Sequence, residues 1–318
     1  MKKILINDGI SKPGKQKLIE YNFNIIDQHI GQDNLIEFIN TNKVDGILVR
    51  SATKITKEII DECPSLKLIG RGGVGMDNID VQYAKSKKIN VINTPSASSA
   101  SVAELVFSHL FSMARHTYHS NRTMPLEGDF NFKQLKKNYA NGSELRNKTI
   151  GIVGFGKIGQ AVAKIAIGVG MNVLFYDKNI KEYTISINFH NETKVKFHLN
   201  RTDFEILLKK SDMVSLHVPK QKEPLINKKE LKLMKKGAFI VNSSRGGVIN
   251  EKDLIQSLNN RHIQCAGLDV FEKEPNPNIE LLMNEHISLS PHIGASTLEA
   301  QQRIGLELAE QVNQIFNG

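Results

Sequence analysis

The sequence predicts an α/β protein made of two doubly wound parallel sheets. Three observations predict it. Short apolar runs alternate with amphipathic stretches of helical spacing along most of the chain, the pattern of strand–helix–strand units. The alternation lapses over residues 119–147, rich in Asn, Gly and Lys, and restarts at a glycine-rich turn. The length, 318 residues, suits two domains of about 150 residues each.

In chain order, "KILIND" (3–8) predicts a strand, "KQKLIEY" (15–21) a helix, "FNIIDQH" (23–29) a strand and "NLIEFINT" (34–41) a helix. "DGILVRS" (45–51) is the next strand, and "KEIIDEC" (57–63) a helix stopped by Pro64, because a proline disfavours helical backbone in the residue before it. "LKLIGR" (66–71), "IDVQYAKSKK" (79–88) and "INVINT" (89–94) continue as strand, helix and strand. Residues 98–116 form a long helical pattern opened by serines, which cap helices well. Its broad apolar face predicts burial between layers. After the irregular stretch, "TIGIV" (149–153) starts the second alternation. Residues 179–202 could hold strands or a hairpin. The rhythm resumes at "DFEILLKKSDMVSLHVP" (203–219) and ends in a helix over residues 297–316.

Composition excludes several classes. Hydrophobic residues are 40% and charged residues 24%, ordinary for a soluble globular protein. No apolar run approaches the roughly 20 residues that span a bilayer, so no membrane partner is expected. The N-terminal apolar run reaches Asn7 and Asp8 at once, as a first strand does and a signal peptide does not. Two cysteines, Cys63 and Cys265, make no disulfide framework and no metal-binding pair. A reducing cytoplasm fits, and no metal is expected. The net charge is +9, but the lysines are scattered and no aromatic-interleaved basic stripe appears. The excess reads as a solvated lysine-rich surface, not a nucleic-acid interface.

The restart of the alternation carries chemistry. Gly154-x-Gly156-x-x-Gly159 follows the strand "TIGIV" and opens a helical pattern. A second strand, "NVLFYD", ends on Asp177, roughly 20 residues beyond the glycines, as a dinucleotide site requires. Gly154 permits the tight turn, Gly156 lets a pyrophosphate approach the backbone, and Gly159 lets helix and strand pack closely. The helix N-terminus offers N–H groups and partial positive charge to phosphates. Asp177 would accept hydrogen bonds from adenosine ribose hydroxyls and repel a 2′-phosphate, favouring NAD over NADP.

Three later strands each end on a charged or titratable residue. They are "AFIVNSSRGGVIN" with Arg245, "AGLDVFEKEP" with Asp269 and Glu274, and "ISLSPHIGAST" with His292. Ligands of doubly wound sheets bind at the carboxyl ends of the strands. The set suits hydride transfer. Histidine takes the hydroxyl proton of a secondary alcohol near neutral pH. A carboxylate orients the ring and stabilises imidazolium. A guanidinium holds a substrate carboxylate in a fixed fork.

With these residues in view, the sequence resembles the D-isomer-specific 2-hydroxyacid dehydrogenases, and among them the phosphoglycerate-oxidising members. The resemblance is carried by "VRSATKIT" (49–56), "IGRGGVGMDNID" (69–80), "INVINTP" (89–95), "VAELVF" (102–107), "GIVGFGKIGQ" (151–160), "SLHVP" (215–219), "VNSSRGGVIN" (241–250), "AGLDVFEKEP" (266–275) and "SPHIGAST" (290–297). It implies a Rossmann NAD-binding domain, 97–289, inserted into a flavodoxin-like substrate domain, 1–96 with 290–318. It implies that Arg245, Glu274 and His292 are catalytic, with His292 the acid/base and Glu274 its partner. The implied NAD contacts are Gly154, Phe155, Gly156, Lys157, Ile158, Gly159, Asp177, His217, Val218, Pro219, Ser243, Ser244, Asp269, His292 and Gly294. Within that set, Asp269 would receive the nicotinamide carboxamide. The implied substrate contacts are Arg50, Ser51, Gly73, Val74, Arg245 and His292.

The expected reaction is NAD-dependent oxidation of 3-phospho-D-glycerate to 3-phosphohydroxypyruvate, in serine biosynthesis. Arg50 and Lys54 supply cations for the phosphate. Glyoxylate or hydroxypyruvate reduction on the same scaffold is the alternative enzyme. A dinucleotide-sensing binding protein, like the C-terminal-binding-protein corepressors, is the alternative class. The apolar helix at 102–116 and the loop after it imply a homodimer. Two departures from the family pattern stand out. The chain ends soon after its last helix, so serine feedback through a C-terminal regulatory domain is not expected. It also has no tryptophan, where the family places one near "GDFNFKQL" (128–135).

Overall fold

β1 (Lys3–Ile6), α1 (Lys12–Glu20), β2 (Asn24–Asp27), α2 (Leu35–Asn42), β3 (Gly46–Val49), α3 (Lys57–Glu62), β4 (Leu68–Arg71), α4 (Val81–Ser86) and β5 (Asn90–Asn93) open the chain. The structure, a computed structural model, describes residues 1–318. It divides into two units, Met1–Ser101 with Ala295–Gly318, and Val102–Gly294.

The five strands pair in parallel in the order β2-β1-β3-β4-β5. That is the flavodoxin-like order, with its switch point between β1 and β3. The central strands are apolar because both faces are covered. Successive side chains alternate between faces. Leu5, Ile47 and Ile69 pack with Leu35 and Ile39 on one side, and Ile4, Leu48 and Leu68 with Leu18, Ile304 and Leu308 on the other. Local signals set the helix starts. Ser11 Oγ accepts from the Gly14 N–H, and Thr56 Oγ1 from Ile59. α3 ends just before Pro64, as expected.

α5 (Ser99–Ala114), α6 (Thr117–Glu127) and α7 (Phe132–Asn138) come next. The last two correct the expectation of an irregular stretch over 119–147. α6 has no buried residue and carries Pro125, so it shows no apolar face, and its proline argues locally against a helix. Hydrophobic periodicity therefore had nothing to register.

The second unit continues with β6 (Thr149–Val153), α8 (Lys157–Val169), β7 (Asn172–Tyr176), β8 (Glu182–Asn188), β9 (Lys194–Asn200), α9 (Phe204–Lys210), β10 (Met213–Leu216), α10 (Lys228–Leu233), β11 (Ala238–Asn242), α11 (Glu251–Asn259), β12 (Ile263–Leu268), α12 (Ile279–Leu282) and β13 (Ile287–Leu289). α13 (Leu298–Asn317) closes the chain and belongs to the first unit.

The second sheet is parallel throughout, in the order β13-β12-β11-β10-β6-β7. The switch point lies between β6 and β10. Two apolar clusters sandwich the sheet, one around Val214, Ile240 and Leu254, the other around Ile152, Phe155 and Val241. β8 and β9 form a separate antiparallel hairpin, with Glu182 opposite Asn200 and Asn188 opposite Lys194. Just past β9, Arg201 bridges Phe175 of β7 in parallel. The hairpin thus ends where a dinucleotide fold usually puts its third strand. No helix is long and apolar enough to cross a membrane.

Candidate active site

The glycine loop joins β6 to α8 at the switch point of the second sheet. Gly154 takes a φ of 91°, and a Cβ there would fall 2.3 Å from the His217 carbonyl oxygen. A Cβ on Gly159 would fall 2.2 Å from the Gly154 carbonyl oxygen. Both glycines are thus required by close backbone approach, the second of helix to strand. Gly156 is exposed, and a Cβ there would meet nothing within 4 Å. It is the N-cap of α8 and supplies no side-chain cap, so the N–H groups of Lys157, Ile158 and Gly159 begin a helix with no side chain covering its positive end. Phe155 is fully buried and stacks on Phe175 with ring centroids 4.0 Å apart, anchoring the loop.

Asp177 follows β7. One carboxylate oxygen accepts the Phe155 N–H at 2.8 Å, and the other accepts those of Asn179 at 2.8 Å and Ile180 at 3.1 Å. Burial works to raise its carboxyl, but these bonds and the Arg201 charge carry it below the usual carboxylate value. The side chain is an anion that also ties the glycine loop to the end of β7.

His217, Val218 and Pro219 follow β10, beside that loop. The His217 ring bonds Ser215 Oγ at 2.8 Å through Nε2, while its Nδ1 is buried without a partner. Burial pushes this imidazole down to about 3, so it is neutral. Ser243, after β11, also has a buried hydroxyl without a partner. Ser244 is turned back on Asn242, its Oγ 2.8 Å from Oδ1. An open glycine cradle, an uncapped helix start, an anion after β7 and two orphaned polar atoms at neighbouring strand ends fit a dinucleotide.

Arg245 is half-buried, and its Nη1 donates to the Ser244 carbonyl at 2.6 Å. Its own carbonyl accepts from Asn242 Nδ2 at 2.9 Å, so the loop folds back on the strand that delivers it. Asp269, after β12, is 1% exposed. Its Oδ1 accepts from Ser290 Oγ at 2.6 Å and Ile293 N–H at 2.8 Å, and its Oδ2 from Gly294 N–H at 2.9 Å. The carboxylate that the resemblance assigns to a nicotinamide carboxamide is thus held by the loop bearing His292.

His292 itself has a φ of 55°, in the left-handed region, which costs a non-glycine residue about 1–2 kcal/mol. Its Nδ1 lies 2.7 Å from Glu274 Oε2. Glu274 Oε1 accepts the Phe271 N–H at 3.0 Å. A carboxylate only accepts, so in the neutral ring the proton sits on Nδ1 and Nε2 is a free base. A cavity of about 400 Å³, walled by Phe271, Pro275, Leu282 and Leu289, adjoins the pair.

In the first unit, Arg50 and Ser51 follow β3 at the switch point of that sheet. Asp8, after the adjacent β1, accepts the backbone N–H of Arg50 at 2.6 Å and the Thr53 hydroxyl at 2.6 Å. Asn78 Nδ2 donates to the Arg50 carbonyl at 2.7 Å. Gly73 and Val74 follow β4, with their carbonyls accepting from Thr94 N–H at 3.1 Å and Asn93 Nδ2 at 2.7 Å. Both loops are pinned by side chains, so their backbones are preformed.

Sequence reasoning missed His109 on α5. It is 4% exposed and bonds Ser288 Oγ at 2.8 Å and Ser290 Oγ at 3.0 Å. The signal was a titratable residue on the stripe Val102, Val106, His109, Leu110, Met113, at helical spacing among core positions.

Residues 107–294 match the family model "D-isomer specific 2-hydroxyacid dehydrogenase, NAD binding domain". The chain is 40% identical to a hydroxypyruvate reductase of Thermotoga maritima, over 98% of this chain and 97% of that protein. It is 38% identical to a D-3-phosphoglycerate dehydrogenase of Methanocaldococcus jannaschii over 100% of this chain, but spans only 58% of that protein. The crystal structure of a glyoxylate reductase from Paecilomyes thermophila matches with a TM-score of 0.84 at 26% identity, covering 100% of this chain and 96% of that one.

Proposed function

The chain belongs to the D-isomer specific 2-hydroxyacid dehydrogenase family, whose cofactor is NAD, and we propose that its reaction is oxidation of 3-phospho-D-glycerate to 3-phosphohydroxypyruvate. The observation that carries the chemistry is the His292–Glu274 pair, 2.7 Å apart, beyond the strands that also deliver Arg245 and the glycine loop.

NAD, when bound, supplies the hydride acceptor. The protein's residues do the rest. His292 Nε2 takes the hydroxyl proton as the C–H bond breaks, and the Glu274 carboxylate stabilises the imidazolium that forms. Arg245 offers its fork to the substrate carboxylate and polarises the adjacent oxygen. The Lys157, Ile158 and Gly159 N–H groups would hold the pyrophosphate, and Asp177 would receive the adenosine ribose.

The phosphorylated substrate is supported by cations of the first unit, Arg50 at the end of β3 and Lys54 four residues on. Hydroxypyruvate or glyoxylate reduction is the second reading, favoured by the end-to-end match to a hydroxypyruvate reductase. The two readings separate by kinetics. Phosphoglycerate oxidation predicts kcat/KM with NAD far higher for 3-phospho-D-glycerate than for D-glycerate, and lost in Arg50→Ala. Equal rates for both acids, with fast NADH-dependent turnover of hydroxypyruvate, would support the second reading.

A homodimer is part of the proposal. Leu126, Phe130 and Phe132 around α6 and α7 are 74%, 76% and 56% exposed. Large exposed apolar side chains of this kind would be covered by association with a second copy.

A further inference from the structure

His109 is a buried titratable side chain that the proposed chemistry does not use. It sits on α5, and its two ring nitrogens each meet a serine hydroxyl of the β13 segment, Ser288 at 2.8 Å and Ser290 at 3.0 Å. β12 makes room for it: a Cβ on Gly267 would fall 2.8 Å from His109 Cβ.

The proton directions follow from valence. Ser290 has one hydroxyl proton, donated to Asp269 Oδ1 at 2.6 Å. Its oxygen must therefore accept from His109, so Nε2 carries the ring proton. Nδ1 is then the acceptor for the Ser288 hydroxyl. Burial lowers the His109 imidazole, with the Asp269 charge opposing, which agrees with a neutral ring. The chain continues through Asp269, whose oxygens hold the N–H groups of Ile293 and Gly294 at 2.8 and 2.9 Å. Those residues directly follow His292, the one with a φ of 55°. Every polar atom along the path is satisfied in one direction only, and such networks rigidify what they hold.

We propose that His109 is a positioning residue for proton transfer, fixing the His292 loop through Ser290 and Asp269. The inference rests on His292 being the acid/base. It predicts that losing the His109 donor lets the loop relax and swings the His292 ring away from Glu274. Displacements of about 1 Å in catalytic geometry cost on the order of 100-fold in rate.

The test uses the full chain with NAD and 3-phospho-D-glycerate, or with NADH and hydroxypyruvate if that pair turns over faster. His109→Phe fills the slot without the hydrogen bonds; His109→Gln restores a donor and an acceptor. His109→Phe should lower kcat about 10- to 100-fold with KM little changed, and should move the pH dependence of kcat. His109→Gln should recover most of the rate. Ser290→Ala, a smaller change, should reproduce the His109→Phe pattern if that variant does not fold. Wild-type kcat and pH profile in His109→Phe or Ser290→Ala would overturn the inference. So would a loss that tracks thermal stability alone and is not rescued by Gln. His292→Ala, assayed alongside, separates the failures. If it abolishes turnover while the His109 variants stay normal, only the positioning role falls. If it retains turnover, the acid/base reading has failed and the inference with it.

Discussion

Glu274 reaches His292 with one carboxylate oxygen, 2.7 Å from Nδ1, and the Phe271 backbone N–H with the other, at 3.0 Å. The carboxylate is therefore held from behind while it orients the ring. Glu274→Gln keeps an acceptor for Nδ1 but removes the charge that stabilises imidazolium. The acid limb of kcat/KM for hydroxy-acid oxidation should move to lower pH, with a reduced plateau. A profile identical to wild type would separate Glu274 from the mechanism.

Arg245→Lys should be far from conservative. An ammonium cannot reproduce the planar fork, and losing a charge-assisted bond costs about 1.5–3 kcal/mol, or roughly tenfold to over a hundredfold in kcat/KM. NAD affinity, measured by fluorescence without substrate, should hardly change. Weakened NAD binding with normal substrate kinetics would assign Arg245 to the cofactor instead.

Asp177→Ala should erode the preference for NAD over NADP, because the 2′-phosphate would no longer meet a carboxylate. Comparing kcat/KM for the two cofactors checks this, and an unchanged ratio would remove Asp177 from cofactor choice.

His217 makes a prediction about acid stability. Burial lowers its imidazole to about 3 from the ordinary value of 6.5. Between those values the unfolded chain binds the extra proton. The contribution of the neutral ring to stability is therefore complete above pH ~6.5 and is lost as pH falls through the window. His217→Gln should flatten the decline of unfolding free energy between pH 6 and about 4, measured by urea denaturation. An equally steep decline in the variant would mean that other groups govern it.

Phe130→Ser and Phe132→Ser together should shift the protein toward monomer in sedimentation, because both side chains are more than half exposed and association would bury them. A wild-type protein already monomeric at micromolar concentration would contradict the dimer.

Much of this was legible in the sequence, for identifiable reasons. Central strands such as "GILV" in β3 and "AFIVN" in β11 are buried on every residue, so they read as continuous apolar runs. The glycine loop was legible because backbone contact excludes side chains at Gly154 and Gly159. Asp177, Arg245, Asp269 and His292 could be placed because each follows a strand of one parallel sheet. α6 was not legible, since a helix with no fully buried residue and an internal proline leaves little periodic trace. His109 was hidden by its setting among core residues: only the folded chain brings it to Ser288 and Ser290, which lie 179 and 181 positions away.

The most direct test is the initial rate of NAD reduction with 3-phospho-D-glycerate, measured on the wild type and on His292→Ala. The account predicts rapid NADH formation by the wild type and a loss of about 100- to 10,000-fold in the variant, the usual worth of a general base, with NAD affinity retained. No NADH formation by a folded, NAD-binding wild type, or near-equal rates for the two proteins, would contradict it.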